Sequence, residues 1–179
     1  MTTTVKIHDL EFEPFLSKAL IADRVQELGI QISTDYEGKM PLFLGILNGA
    51  FVFAADLIRA CSIPCEVAFM RLASYDGLQS SGAVRTLVGL DSNIKDRHVI
   101  VVEDIVDSGR TLSHLMPQLQ ALQPASLALA TLLFKPDALE SAVDIDYLAF
   151  EIPNRFVVGY GLDYNGLGRN LPDIYQLKP

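Results

Sequence analysis

Val99-Ile100-Val101-Val102-Glu103-Asp104-Ile105-Val106-Asp107-Ser108-Gly109-Arg110-Thr111 is the stretch whose reading decides the fold. Four β-branched residues open it, the pattern of a central parallel strand covered on both faces. Ser108, Gly109 and Thr111 close it, ahead of Leu112, Leu115, Met116, Leu119 and Leu122 at helical spacing. A strand running into a helix N-terminus aims backbone N–H groups, hydroxyls and the positive end of the helix dipole at one spot, which suits a phosphate monoester. In open α/β sheets ligands bind at the carboxyl ends of the strands, so the location fits as well. Glu103 and Asp104 would repel a phosphate. Adjacent carboxylates at a strand end suit vicinal hydroxyls and Mg2+, a hard cation that takes oxygen ligands. Asp107, three residues on, is placed to reach a proton on a bound base. A solvated acidic loop with a helix cap would explain a lone acidic pair, but it explains the full string poorly.

Outward from this stretch, short apolar runs alternate with helical patterns, which predicts an α/β fold with a mostly parallel sheet. Residues 17–28 read as a helix that Ser17 caps and Gly29 ends. Residues 41–47 read as a buried strand closed by Asn48-Gly49, residues 51–60 as a well-covered helix, and residues 66–72 as a strand. Residues 73–83 are polar and Gly-rich, either a lid or binding loop or an ordinary hairpin connection. Residues 84–90 are a candidate returning strand, and residues 127–134, 145–150 and 156–159 are further strands. Pro117 falls inside the helical pattern that follows Thr111 and should kink or shorten that helix. No repeat, low-complexity segment or linker interrupts residues 1–179, which read as one domain.

The chain of 179 residues is half hydrophobic and carries a formal charge of −8. There is ample material for a core, and no basic excess to release counterions from a nucleic-acid backbone. Cys61 and Cys65 form no second pair and have no nearby histidine, so they read as reduced thiols rather than zinc ligands. Residues 1–10 lack a charged segment leading into an apolar one, and no apolar run approaches the roughly 18 residues of a membrane helix. The expectation is a cytoplasmic chain without a membrane or nucleic-acid partner. Gly159-Tyr160-Gly161 lacks the third glycine and the helix of a dinucleotide fingerprint.

The stretch from Val99 to Leu112 closely resembles the phosphoribosyl pyrophosphate signature of type I phosphoribosyltransferases, and the wider chain is similar to the hypoxanthine-guanine branch of that family. The likeness runs over residues 41–175 in the family's order and spacing. It takes in Leu47-Asn48-Gly49-Ala50, Ser74-Tyr75, Phe134-Lys135, Phe156 to Tyr164, and Arg169. The resemblance implies a central, mostly parallel sheet flanked by helices, with a small hood formed by the N- and C-terminal segments. It implies transfer of a 5-phosphoribosyl group from its pyrophosphate donor to N9 of hypoxanthine, and of guanine, with Mg2+ as cofactor and a homodimer or homotetramer as the assembly.

Residue roles follow from the same likeness. Leu47, Asn48 and Gly49 form the pyrophosphate loop, with a cis peptide at Leu47-Asn48, and Arg169 also binds pyrophosphate. Glu103, Asp104, Ile105, Asp107, Ser108, Gly109, Arg110 and Thr111 hold the donor. Glu103, Asp104 and Asp163 serve the metal, and Asp107 is the catalytic base. Ser74 and Tyr75 lie in a loop that closes over the reacting centre, where water would hydrolyse an oxocarbenium-like ribosyl group. Lys135 donates to the purine O6, Phe156 stacks on the base, and Val157 and Asp163 lie at its edge. Without the family, Lys135, Asp163 and Arg169 could be solvated charges, and Phe156 and Val157 plain strand core. Asn48 and Ala73 stand where some relatives carry a basic residue, which bears on pyrophosphate affinity. A xanthine preference, or a binding module that kept the fold without turnover, are the other readings. His8, His98 and His114 match no family role and read as structural or surface residues.

Overall fold

The decisive stretch forms a strand, His98–Val106, at the centre of a six-stranded sheet. The computed structural model describes residues 4–73, 85–88 and 93–179. In chain order the strands are β1 (Val5–Ile7), β2 (Leu10–Leu16), β3 (Leu42–Leu47), β4 (Glu66–Ala73), β5 (Arg85–Val88), β6 (His98–Val106), β7 (Ser126–Phe134), β8 (Tyr147–Glu151), β9 (Val157–Val158) and β10 (Ile174–Leu177). The helices are α1 (Lys18–Asp35), α2 (Phe51–Ala60) and α3 (Arg110–Ala121). The large sheet has the order β5-β4-β3-β6-β7-β8, all parallel except β5, which returns antiparallel to β4. A smaller antiparallel sheet, β1-β2-β10-β9, is built from both ends of the chain.

Alternation along the inner strands sends side chains to two cores. Phe43, Ile100 and Val102 meet Val25, Leu28 and Ile32 of α1 and Phe53 and Leu57 of α2 on one face. Leu42, Leu44, Val99 and Val101 meet Leu112, Leu115 and Leu119 of α3 on the other. A strand buried on both faces can be β-branched at every position, which is why Val99 to Val102 show no polar alternation.

Two expectations are corrected within the elements. The first helix does not end at Gly29. Ser17 caps it, its hydroxyl accepting from the Leu20 N–H at 3.3 Å, but the helix runs on to Asp35. Gly29 is the point where α1 crosses the end of α2: a Cβ there would lie 2.6 Å from the Ala60 Cβ and 2.7 Å from its backbone carbon. Ser33 reinforces the crossing by donating to the Gly29 carbonyl at 2.7 Å and accepting from the Ser62 N–H at 3.0 Å. Glycine serves close approach here rather than helix termination. Gly29→Ala is predicted to lower Tm by about 3–8 °C, because overpacking costs about 1–3 kcal/mol, only partly offset by the better helix propensity of alanine. Thermal unfolding followed by circular dichroism checks it.

Likewise Pro117 sits inside α3 without shortening it. It lies on the exposed face, where water can take the carbonyl hydrogen bond that proline leaves open. Residues 145–150 form a strand that begins at Tyr147, and residues 156–159 contribute only Val157–Val158, in the small sheet. Among the described residues no helix is long and apolar enough to cross a membrane.

Candidate active site

The strand ends decide where the chemistry gathers. Sheet pairing between β3 and β6 stops at Gly45–Val102, while β6 stays paired with β7 as far as Val106–Phe134. β3 and β6 therefore part at their carboxyl ends, and a cavity of about 440 Å³ opens between them. Ile46 and Leu47, Glu103 and Ile105, and the segment from Val106 to Leu112 line it. Glu103, Asp104 and Ile105 belong to the strand rather than to a loop, as the reading of a strand ending at Val102 implied. Their backbone is therefore held by the sheet.

Ser108 and Gly109 make the turn into α3. Gly109 adopts φ 73°, and a Cβ there would strike the Ser141 carbonyl, so the turn requires glycine. The Ser108 carbonyl accepts from the Glu140 and Ser141 N–H groups, both at 3.0 Å, which braces the turn from behind. Its hydroxyl accepts from the Arg110 N–H at 3.4 Å. Thr111 and Leu112, whose N–H groups precede the first bond of the helix ladder, line the cavity, as an anion site needs. Arg110 itself is paired with Glu140.

Three segments meet at Gly49. The Leu47-Asn48 peptide is cis. A Cβ on Gly49 would overlap the Asp104 carboxylate, and a Cβ on Gly161 would overlap the Gly49 carbonyl. The segments expected to hold pyrophosphate, ribose and metal are thus in mutual contact. Glu103 turns back so that its Oε1 accepts from the Asp104 N–H at 3.2 Å. Burial, with the neighbouring Asp104 carboxylate adding to it, holds the Glu103 carboxyl well above the usual carboxylate range. A group that binds its proton more tightly when folded loses stabilising effect as pH rises through its folded pKa. Glu103→Gln is therefore predicted to raise Tm at pH 8 by a few degrees, to change it little near pH 4, and to weaken donor binding. Unfolding scans at the two pH values check the sign.

Lys135 follows β7 and is buried, its Nζ donating to Asp107 Oδ2 at 2.9 Å. Asp107 is half exposed at the cavity wall. On the far side, Arg169 donates to the Gly161 carbonyl at 2.6 Å and to Asp163 Oδ1 at 2.7 Å, and Asp163 Oδ2 accepts from the Gly166 N–H at 2.7 Å. Asp163 is thus committed to Arg169, and no group of three or more metal-ligating side chains is preformed among the described residues. Phe156 is 42% exposed and leans on Tyr164, edge to face at 5.7 Å, and on Phe12 at 6.0 Å. Tyr164 is tied to the β1–β2 turn by a 2.9 Å bond to Asp9 Oδ1. Val157 is buried in β9 opposite Gln176. Ser74 and Tyr75 lie outside the described residues.

His8 and His98 take structural places. His8 packs edge-on against Tyr164, and His98 Nδ1 is 2.8 Å from the Ser126 hydroxyl. His114 departs from its expected role, since it lines the cavity beside the α3 N-terminus. Its spacing of three from Thr111 along a helix was the available signal. Cys61 and Cys65 are free thiols, and burial pushes the Cys61 thiol up to about 11, the setting of an unreactive cysteine.

Comparison with known proteins agrees with this fold. A family model described as a phosphoribosyl transferase domain matches residues 14–165. The hypoxanthine-guanine phosphoribosyltransferase of Bacillus subtilis is 40% identical over 173 residues, covering 96% of each chain. The bifunctional protein TilS/HprT of Listeria monocytogenes is 43% identical over 165 residues, 92% of this chain, which spans 26% of the length of that relative. A crystal structure of a hypoxanthine phosphoribosyltransferase from Staphylococcus aureus superposes with a TM-score of 0.88 at 40% identity, covering 93% of this chain and 91% of the other. With the family model, the sequence likeness and the shared fold in agreement, the chain belongs to the phosphoribosyltransferase family, in its hypoxanthine-guanine branch.

Proposed function

We propose that the protein is a cytoplasmic purine-salvage transferase that moves the 5-phosphoribosyl group of phosphoribosyl pyrophosphate to N9 of hypoxanthine, and of guanine, releasing pyrophosphate. The observation that carries this reading is the 2.9 Å contact between Asp107 and Lys135. It joins the donor cradle to a buried cation suited to an acceptor oxygen.

Ser108 to Thr111 hold the 5′-phosphate through N–H groups and hydroxyls. Glu103 and Asp104 face the ribose hydroxyls. Asp107 takes or shares the proton at purine N7 as N9 bonds to the ribosyl carbon, a general-base role. Lys135 donates to O6, which adenine lacks, and a site built to pair a polar group strongly rejects a ligand without it. Phe156 stacks on the ring, with Val157 and Asp163 at its edge. The Leu47–Gly49 backbone and Arg169 meet the leaving pyrophosphate, where negative charge develops. Two adjoining carboxylates, Glu103 and Asp104, are the oxygen donors that suit Mg2+, and Asp163, two residues beyond the Gly161 that packs on Gly49, would join them by giving up its pairing with Arg169. When bound, Mg2+ would offset the charge of the diphosphate. Ser74 and Tyr75 belong to this reading as the covering loop.

Homodimer or homotetramer formation fits the apolar surface that β4 exposes at Val67 and Phe69. Residues 1–179 act as one domain in this reading. An assay with the donor and Mg2+ against hypoxanthine, guanine, xanthine and adenine separately tests the proposal, with native mass determination for the assembly. Turnover of hypoxanthine and guanine is expected, and turnover of adenine alone would overturn the role of Lys135.

A further inference from the structure

We propose that His114 is an additional phosphate-binding residue of the donor site, which adds a cationic contact to the 5′-phosphate when its imidazole is protonated; this rests on the function proposed above. The position of the ring is the first observation. His114 lies one turn into α3 and lines the cavity together with Ser108, Gly109 and Thr111, the residues of the phosphate cradle.

Its hydrogen bonding is the second. Nδ1 lies 2.7 Å from the Arg110 carbonyl, which can only accept, so Nδ1 carries a proton. The Ser113 hydroxyl is a longer 3.5 Å from the same nitrogen. Nε2 is then the end of the ring left for a ligand: a lone pair when the ring is neutral, an N–H donor when it is charged.

The third observation is where the other cations are spent. Arg110 is paired with Glu140, Lys135 with Asp107, and Arg169 with Asp163. The wall otherwise carries the acids Glu103 and Asp107, while β3 and β4 contribute only Ile46, Leu47 and Leu72, without charge. Among the described residues of this wall, His114 is the basic side chain without a carboxylate partner. A dianionic phosphate at the helix N-terminus finds backbone dipoles there, but its cationic help from Arg110 is shared with Glu140. Histidine side chains as a class change charge between about pH 5 and 8, so a pH series tests whether charge on the ring contributes.

The test compares the wild type with His114→Gln and His114→Lys, using inosine monophosphate as the probe and inosine as its phosphate-free counterpart, by calorimetry from pH 5.5 to 8.5. Taking ratios between variants cancels the titration of the phosphate itself. The wild type is expected to bind the nucleotide about three- to tenfold more tightly than His114→Gln near pH 6, and about equally at pH 8.5. His114→Lys should keep the tight binding at both ends. Inosine should show no such difference. A nucleotide ratio that stays flat with pH in both variants, or a ratio that moves equally for inosine, overturns the inference. The two variants guard against one that fails to fold. Wild-type turnover of hypoxanthine with the donor is measured alongside. If turnover is present and the ratio flat, His114 alone is excluded; if no base is turned over, the reading of the whole site fails.

Discussion

Asp107→Asn is expected to lower kcat by about 10²–10⁴-fold, the usual contribution of a positioned general base, while donor binding is retained. Asparagine has nearly the same shape, so the Ser108–Thr111 cradle keeps its place. It cannot hold a proton from purine N7. The substitution also removes the carboxylate that faces the buried Lys135 Nζ at 2.9 Å. Removing one partner of a buried pair is costly, but Asp107 is half exposed and water screens the loss, so about 1–2 kcal/mol of stability and a Tm drop of several degrees are expected. Lys135→Gln in the same chain separates the two effects. The double variant should regain stability by removing the unpaired cation and still fail to turn over. Steady-state kinetics and donor titration of both variants check this, and near-normal turnover in Asp107→Asn would take Asp107 out of the base role.

Gly49→Ala is the second large effect, and it comes from geometry instead of chemistry. The methyl group would occupy the volume of the Asp104 carboxylate, so Asp104 or the loop must move. Gly161 presses on the Gly49 carbonyl from the other side, which leaves the loop little room to retreat. Three groups assigned to pyrophosphate, ribose and metal are displaced together. A shift of about 1 Å in positioning groups can cost about 100-fold in rate, and a loss of at least that size in kcat/KM for the donor is expected. Stability should fall by only a few degrees in Tm, because the crowded side chain lies at the end of the strand and not in either core. Kinetics at varied donor concentration, beside a thermal scan, distinguish this outcome from simple unfolding.

Much of the candidate donor site was legible because it is local. The β-branched run, the two carboxylates, Asp107 and the turn into α3 follow one another within residues 99–111, and a strand-to-helix junction needs only neighbours in sequence to be recognised. Gly29 was misread because its role depends on Ala60, a contact between two helices that no periodicity reports. The small sheet was implied by the family resemblance but hardly visible in the residues themselves, for a related reason. Leu10 and Phe12 alternate with Glu11 and Glu13, but Pro14 breaks the run, and its partner across the ladder is Tyr175 at the other end of the chain. The pairing of Asp163 with Arg169 was equally hidden. Both residues carry the family pattern, yet only the fold around Gly161 turns them toward each other.

β10 lies between β2 and β9, and the Lys18 N–H is held by Asp173 at 2.6 Å. The two parts of the candidate site are therefore closed by segments at very different distances along the chain. The Ser108 turn is braced by the N–H groups of Glu140 and Ser141. The ledge that carries Phe156 and Val157 depends on Ile174–Leu177 lying between β2 and β9. In the proposed reading, the surface for the base is thus closed by a ladder between distant segments, whereas the turn for the phosphate is closed by nearer neighbours.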